Sequence, residues 1–203
     1  MDAIKCLISR RSIREYTDQP VTERDIEDIV MMSQMASCWE NTQPIRYVAV
    51  LNQELKDRLA KECTVDFPWN TENIHAAPAL IVLCIVKGLS GYEPDGSFST
   101  KKGTHWQSFD AGVAAAHFCL AANALKFGTL IMGRYEEDKV KEILSLPEDY
   151  DKLLPRQILL YFEYHNTLTS RQKTVFYSNL VRFGAIRRPE YEEHRKKMQA
   201  RFP

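Results

Sequence analysis

The stretch Ser9-Arg10-Arg11-Ser12-Ile13-Arg14-Glu15-Tyr16 follows a short segment in which apolar residues are spaced three and four apart. This basic stretch (residues 9–16) carries three guanidinium groups and a hydroxyl within the five residues 10–14. Arginine presents a planar fork of donors that matches phosphate oxygens two at a time. The stretch is therefore suited to hold a phosphorylated ligand. A solvated basic turn between two helices is the other interpretation, and the stretch alone does not separate the two.

Composition describes an ordinary globular protein. The 203 residues are 44% apolar and 27% charged, enough for one domain with a sizeable core. The formal net charge is zero, so no global field would attract nucleic acid or an anionic membrane. The longest apolar run, residues 76–86, is too short to cross a bilayer. We therefore expect no nucleic-acid partner, no membrane association and, with no basic leader before an apolar run, no signal peptide.

Motif absences narrow the chemistry further. The five scattered cysteines form no Cys-x-x-Cys pair, which favours reduced side chains in a cytoplasmic protein. The five histidines show no metal-ligand spacing, so no metal site is expected. No Gly-x-Gly-x-x-Gly, P-loop or Gly-x-Ser-x-Gly motif is present. A Rossmann dinucleotide fold, an NTPase and an α/β-hydrolase are all disfavoured.

Apolar spacing and caps predict an α+β protein. Asp2 is expected to cap a first helix with Ile4, Leu7 and Ile8 on its apolar face. Thr22, with Asp25 three residues later, should open a second helix through a capping box. Further helices are predicted at 107–127, with Gly128 as the stop, and at 137–144; a short helix carries Leu55 and Leu59. Strands are predicted at 46–51, 79–86, 129–132 and 157–164, and loops at 65–73 and 87–104, the latter long and mobile.

Elements of both kinds alternate until about residue 173, which predicts one interleaved domain (1–173) with helices on both faces of a sheet. Residues 174–203 are mixed and then strongly charged, with little apolar face. We expect this C-terminal helical extension (174–203) to pack on a partner subunit or to fray.

The order of the motifs resembles the FMN-dependent nitroreductase family over about residues 2–173. After the basic stretch come a helix and Asn41-Thr42-Gln43-Pro44, then Ala77-Pro78-Ala79 before a buried strand, Asp110-Ala111-Gly112 in an alanine-rich helix, and Gly128 to Gly133 before another helix. The resemblance implies a nitroreductase-like fold, a central and mostly antiparallel sheet flanked by helices, in an intertwined homodimer. It also implies FMN at the subunit interface.

The function implied by this resemblance is ping-pong transfer of a hydride or electrons from NADH or NADPH, through FMN, to nitroaromatics, quinones or similar electrophiles. The cofactor carries the chemistry and the protein binds and tunes it, so no catalytic side chain is expected. Two alternatives remain open: a flavin-binding interaction protein with incidental turnover, and a specialised flavin enzyme such as a reductive dehalogenase.

The resemblance assigns cofactor contacts to particular residues. Arg10 and Ser12, with Arg171 and Lys173, would hold the FMN phosphate, and Arg14 would lie near the pyrimidine edge of the ring. Arg11, between them, is expected to point elsewhere, although it belongs to the same candidate set. A salt bridge to Glu15 or Glu23 is the alternative role for Arg14.

Two further segments are implied to reach the ring. The loop Ser37, Cys38, Trp39 and Asn41 would contact the flavin across the interface, with a self-bonded turn as the alternative for Asn41. Met132 and Gly133 would run against the ring near N5, with an ordinary strand end as the alternative. Asn70 or Asn73 falls near a family contact to the pyrimidine ring, in an uncertain register.

The loop departs from the commoner family pattern, which has small residues where Cys38, Trp39 and Glu40 stand. A large aromatic side chain and a carboxylate beside the ring would narrow the acceptor pocket. Cys38 could alternatively be a reactive thiol, although nothing in the sequence indicates a depressed pKa for it.

Overall fold

A computed structural model describes residues 3–64 and 67–146. These residues form the α-helices Ala3–Ser9 (α1), Glu23–Ser33 (α2), Gln53–Cys63 (α3), Pro68–Ala76 (α4), His105–Ala124 (α5) and Glu137–Ile143 (α6), the 3-10 turn Trp39–Asn41, and the strands Ile45–Val50 (β1) and Leu80–Ile85 (β2). The two strands pair in a small antiparallel sheet. The α+β class is confirmed. Outside the described residues lie the predicted strand 157–164 and the extension 174–203 with its boundary. None of the helices in the described part is long and apolar enough to cross a membrane.

Helix α2 begins as its sequence predicts. The Thr22 hydroxyl accepts the backbone N–H of Asp25 at 3.2 Å, and the Asp25 carboxylate accepts the backbone N–H of Thr22 at 2.9 Å. This reciprocal pair satisfies donors that the first helical turn leaves without partners. Ile26 and Ile29 are buried on the inward face, so the predicted capping box and apolar face are both confirmed.

The predicted loop at 65–73 is wrong, because helix α4 begins at Pro68. Proline is suited to the first helical position, where its missing N–H would have no intrahelical partner. The helix packs on α3, and the ammonium of Lys56, 1% exposed, donates to the carbonyl of Ala77 at the end of α4. The sequence Pro68–Ala76 has no regular apolar stripe, which is why periodicity did not reveal it.

The end of α5 also differs from the prediction. Gly128 was expected to stop the helix, but the helix ends at Ala124 and Lys126 adopts the left-handed conformation, with φ of 74°. The N–H of Phe127 bonds the carbonyl of Ala122 at 2.9 Å, and the N–H of Lys126 bonds that of Asn123 at 3.1 Å. This is the Schellman pattern of helix termination. The prediction failed because a lysine occupies the position that glycine usually takes.

Helix α1 does not bury the face predicted for it. Leu7 and Ile8 are 60% and 65% exposed, whereas Cys6 is buried and its thiol donates to the carbonyl of Leu120. The amide of Asn123 donates to the carbonyl of Cys6 at 2.9 Å. Helix α1 therefore contacts α5 through Cys6, and the side chains of Leu7 and Ile8 on its apolar face are exposed.

The described residues divide into two compact units. Residues 3–36, 45–84 and 111–146 form the first unit, and residues 37–44 and 85–110 form the second. In the first, Val50, Leu59, Cys63 and Val140 form a buried cluster.

Residues 87–104, predicted as a long mobile loop, form a succession of turns in the second unit. Within these turns Tyr92 and Phe98 pair as an isolated antiparallel bridge, and their rings are in tilted contact with centroids 4.9 Å apart.

The predicted strand 129–132 is reduced to a single bridge among the described residues. Thr129 pairs in parallel with Ser12, and residues 130–132 have no ladder partner there. A strand needs a continuous neighbour for its N–H and C=O groups, and the basic stretch supplies one only at this point.

Candidate functional site

One arginine of the basic stretch, Arg11, is hydrogen-bonded to the backbone at the end of α1. The guanidinium of Arg11 donates to the carbonyls of Ile8 and Arg10 at 2.7 and 2.8 Å. Cationic side chains at a helix C-terminus satisfy carbonyls that have no partner inside the helix. Arg11 thus closes the end of α1, in keeping with the expectation that it points elsewhere.

The other two arginines of the stretch make no comparable hydrogen bonds to the described residues. Within residues 3–64 and 67–146, the guanidinium groups of Arg10 and Arg14 make no hydrogen bond or ion pair, and Arg14 forms no salt bridge with Glu15 or Glu23. Arg10 is half-buried and Arg14 is exposed. Two planar cations four residues apart are therefore available to an anionic ligand.

The basic stretch lies directly beside the segment 128–133. The backbone N–H of Ile13 donates to the carbonyl of Thr129 at 3.0 Å, next to the bridge between Ser12 and Thr129. Gly128 faces the side chain of Ile13 so closely that a Cβ there would lie 2.7 Å from Cγ1. Two motifs more than a hundred residues apart in the sequence thus meet in the first unit.

Tyr16 joins this pair of segments to α4. Its hydroxyl lies 3.2 Å from the carbonyl of Ile13 and 3.4 Å from the side-chain oxygen of Asn73. Burial raises the pKa of Tyr16, opposed by the positive charge of Arg14. The hydroxyl therefore stays protonated at neutral pH and can donate to either oxygen.

The two asparagines of α4 differ in their roles. Asn70 is buried and its amide donates to the carbonyl of Arg134 at 2.9 Å, which fixes the chain just after Gly133. Asn73 is half-buried and its oxygen faces Tyr16. Its amide donates to the carbonyl of Trp69 at 2.6 Å, so both asparagines have structural partners, and Asn73 is the one beside the basic stretch.

A cavity of about 270 Å³ opens in the first unit where these segments meet. Its walls are mostly apolar and come from Tyr16, α4, β2, α5 and the segment 129–132. Met132 is part of this lining. Gly133 is exposed, and a Cβ built there would meet no atom within 4 Å. Tyr47 also lines the cavity, and burial raises its pKa to about 12.

The predicted flavin loop lies in the second unit, where residues 38–43 form a tight turn. Glu40, Asn41 and Gln43 all have positive φ, of 45°, 56° and 51°. The side-chain oxygen of Asn41 accepts the amide of Gln43 at 2.7 Å, so the self-bonded alternative for Asn41 is partly realised. Its own amide nitrogen donates to none of the described residues. Ser37, just before the turn, is exposed.

Cys38 is not arranged as a reactive thiol. Burial raises its pKa to about 11, and the negative charge of Asp110 adds to this rise against the hydrogen bonds of the loop. Its sulfur accepts the backbone N–H of Gln43 at 3.3 Å. The thiolate is the nucleophilic form, so this cysteine serves the turn.

Sequence reasoning missed the residue that holds this loop. The backbone N–H of Trp39 donates to Asp110 Oδ2 at 2.9 Å, and the hydroxyl of Ser90 donates to the same oxygen at 2.6 Å. The Trp39 ring packs on Trp106 with centroids 4.4 Å apart. The signal was present, since Asp110 is the single carboxylate in the described helix α5, but its partners are distant in sequence.

The remaining sequence predictions concern two phosphate-binding residues and the expectation of no metal site. Arg171 and Lys173 lie outside the described residues. Within the described part of the chain, no cluster of His, Cys, Asp and Glu could hold a metal ion.

Comparison with known families decides the affiliation. A sequence model of the Nitroreductase family matches residues 7–68 and 67–155. The chain belongs to the nitroreductase family. A second model, for the N-terminal part of a family of unknown function (DUF5717), matches residues 143–202, nearly all of them outside the described residues of this nitroreductase-family chain.

Individual relatives agree with the family. A protein of Archaeoglobus fulgidus with the provisional name NADH dehydrogenase/NAD(P)H nitroreductase is 28% identical over 152 residues, covering 73% of this chain and 79% of that relative. The FMN reductase [NAD(P)H] of Bacillus subtilis is 29% identical over 156 residues, covering 72% of this chain and 61% of that relative. This chain therefore spans about three fifths of the Bacillus protein.

A solved structure shows the same fold. An Exiguobacterium sibiricum protein, described as a nitroreductase on provisional grounds and solved in complex with FMN, superposes with a TM-score of 0.62 at 20% identity. The match covers 73% of this chain and 82% of that one. The nitroreductase-like fold predicted from the motifs is confirmed.

Proposed function

We propose that this chain is an FMN-dependent NAD(P)H oxidoreductase that reduces nitroaromatics, quinones or similar electrophiles. Family membership and the name of the Bacillus relative, an FMN reductase [NAD(P)H], support the cofactor and the donor. The observation that carries the proposal is the pair of guanidinium groups, Arg10 and Arg14, which have no partner among the described residues and belong to the stretch beside the segment 128–133.

The residues present fit a phosphorylated flavin. A phosphate dianion needs several charged or polar donors, and Arg10 with the exposed hydroxyl of Ser12 offers them on one short segment. Arg11 is tied to the end of α1, so the charge available to a ligand comes from its neighbours.

Each group then has a distinct role. Arg10 and Ser12, with Arg171 and Lys173, would hold the phosphate, and Arg14 would place a positive charge near the pyrimidine edge of the ring. Ser37, Cys38, Trp39 and Asn41 would border the ring from a second subunit, and Met132 and Gly133 would run along it near N5. When bound, FMN supplies the transfer of a hydride or electrons between NAD(P)H and the acceptor. The protein binds and orients it and excludes water.

A homodimer is the second part of the proposal. Leu7 and Ile8 on α1 are 60% and 65% exposed, and Phe109 on the second unit is 59% exposed. Burying apolar surface contributes roughly 25 cal/mol per Å², so a second copy of this chain has a favourable surface to cover on α1. The five cysteines are unpaired, which suits the reducing cytoplasm.

The visible spectrum of the purified protein tests the function. We expect a flavin spectrum that is bleached by anaerobic NADH or NADPH and restored by a quinone. A protein that stays colourless with excess FMN would contradict cofactor binding. A yellow protein without quinone turnover would instead support the flavin-binding interaction protein.

The subunit state needs a separate measurement. Light scattering of the FMN-loaded protein should give the mass of two chains, and Leu7→Glu should shift it toward one chain by placing a charge on the exposed face of α1. A monomeric wild type that still binds FMN would contradict the interface site.

A further inference from the structure

Asp110 is a buried carboxylate with an unusual set of partners. It is 1% exposed, lies in the second turn of α5 and accepts two hydrogen bonds on one oxygen, from the backbone N–H of Trp39 and the hydroxyl of Ser90. Its other oxygen, Oδ1, is buried and has no hydrogen-bond partner among the described residues. Burying a carboxylate with one unsatisfied oxygen is unfavourable. An apolar residue here would avoid that cost but would leave the N–H of Trp39 and the hydroxyl of Ser90 without this acceptor.

The loop that Asp110 holds is not stable by itself. Three of its residues that are not glycine, Glu40, Asn41 and Gln43, have positive φ. Such conformations are strained for residues other than glycine and persist only where the surroundings impose them. Inside the loop, the Thr42 hydroxyl bonds the carbonyl of Trp39 at 2.9 Å, but this bond moves with the loop and does not anchor it.

The anchor comes from two elements outside the loop. Ser90 is 0% exposed and shares Oδ2 of Asp110 with the backbone of Trp39. The Trp39 ring also packs on Trp106, which lies one turn before Asp110 on α5. The backbone and the side chain of Trp39 are thus both fixed against the same end of one helix.

We infer that Asp110 is a positioning residue that holds residues 38–43 in the conformation in which Trp39 and Asn41 border the flavin. The inference rests on the proposed function for its consequence, because the loop matters for FMN only if it contacts FMN. The position of the loop itself is a property of the second unit and has its own signature. Two indoles in contact and tilted against each other give an exciton band in the circular dichroism spectrum, and Trp39 and Trp106, whose planes meet at 48°, are such a pair.

The experiment compares two substitutions of Asp110 with a matched control. Asp110→Leu removes both acceptors at similar size, whereas Asp110→Asn keeps an oxygen that can accept both bonds. Asp95 is the control, because its carboxylate also accepts a backbone N–H at 2.9 Å and a serine hydroxyl at 2.6 Å, both from Ser97 in its own exposed turn. Each variant is measured for its exciton band without FMN, its FMN dissociation constant and its thermal midpoint.

We expect Asp110→Leu to lose the exciton band and to bind FMN about tenfold more weakly, the effect of losing a hydrogen bond to a charged group. Asp110→Asn should restore both, and Asp95→Ala should leave both unchanged even if its thermal midpoint falls. Trp106→Phe identifies the band by abolishing it, while Trp69→Phe should retain it.

Two results would overturn the inference. One is an Asp110→Leu protein that keeps the band and the FMN affinity; the other is an Asp95→Ala protein that loses them equally. If Asp110→Leu fails to fold, Ser90→Ala is measured instead, and an unchanged band and affinity there would count against the role. If the wild type never binds FMN, the proposed function and the consequence for FMN are refuted. An exciton band that still depends on Asp110 would then establish the anchoring of the loop alone.

Discussion

Gly128 lies against Ile13 with no room for a side chain between them. A Cβ on Gly128 would approach Ile13 Cγ1 to 2.7 Å and Cβ to 3.0 Å, closer than carbon atoms tolerate. The backbone bond from Ile13 to Thr129 depends on this approach. Glycine at this position therefore sets the distance between the basic stretch and the segment 128–133.

Gly128→Ala should separate these segments. We expect a loss of about 1–3 kcal/mol in the free energy of unfolding, the usual cost of overpacking, together with weaker FMN binding because Arg10 and Ser12 move with Ile13. Urea unfolding and FMN titration would measure both.

Gly112→Ala is the matched control. A Cβ at Gly112 meets no atom within 4 Å, and the residue lies inside α5. Alanine there should stabilise the protein by roughly 0.5–1 kcal/mol. Equal stability of the two alanine variants would contradict the close-approach argument.

Arg10 and Arg11 should respond differently to alanine. Arg10→Ala removes a guanidinium that has no partner within the described part of the chain, so FMN affinity should fall by about 1.5–3 kcal/mol, or roughly 10- to 100-fold. Arg11→Ala removes bonds to the carbonyls of Ile8 and Arg10 only, so it should leave the FMN dissociation constant nearly unchanged. Fluorescence quenching of FMN measures both constants, and an equal loss in the two variants would refute this division of roles.

Local signals made much of the fold predictable. The capping box of Thr22 and Asp25, the apolar run of β2 and the helix after Gly133 depend on neighbours within a few residues, and each appears close to its predicted place. Helix α4 was missed because its nine residues have no apolar stripe. The end of α5 was misplaced because Lys126 took a conformation that its side chain disfavours.

The candidate site was predictable only where the family motifs are contiguous in sequence. The basic stretch and the loop at 37–41 could be recognised, because their donors are neighbours along the chain. The hydrogen bonds of Arg11 and the anchoring by Asp110 could not be predicted, because they depend on where side chains point. The contact between Trp39 and Asp110 also joins residues that are 71 positions apart in the sequence. The burial of Cys38 is another such property.

Cys38 should be slow to alkylate in the folded protein. Burial raises its pKa to about 11, so almost none of it is thiolate at neutral pH. We expect the rate of iodoacetamide labelling at Cys38, followed by mass spectrometry, to rise steeply only as the pH approaches that value. The protein unfolded in urea supplies the comparison, because its thiols ionise near the usual 9.0. Rapid labelling of folded protein at neutral pH would restore the reactive-thiol interpretation.

The buried phenol of Tyr47 should make the free energy of unfolding fall as the pH rises above 10.0. Burial raises its pKa from the usual 10.0 to about 12, so the unfolded chain releases this proton first. The stabilisation is complete below pH 10 and is lost as pH rises through the interval up to about 12. Tyr47→Phe keeps the ring stacked on Phe118 and should flatten the fall in unfolding free energy across that interval, measured by urea titration. Cys38→Ala is the control, since it should remove only the part of the fall that begins near 9.0. An identical slope in wild type and Tyr47→Phe would show that the phenol is not buried as described.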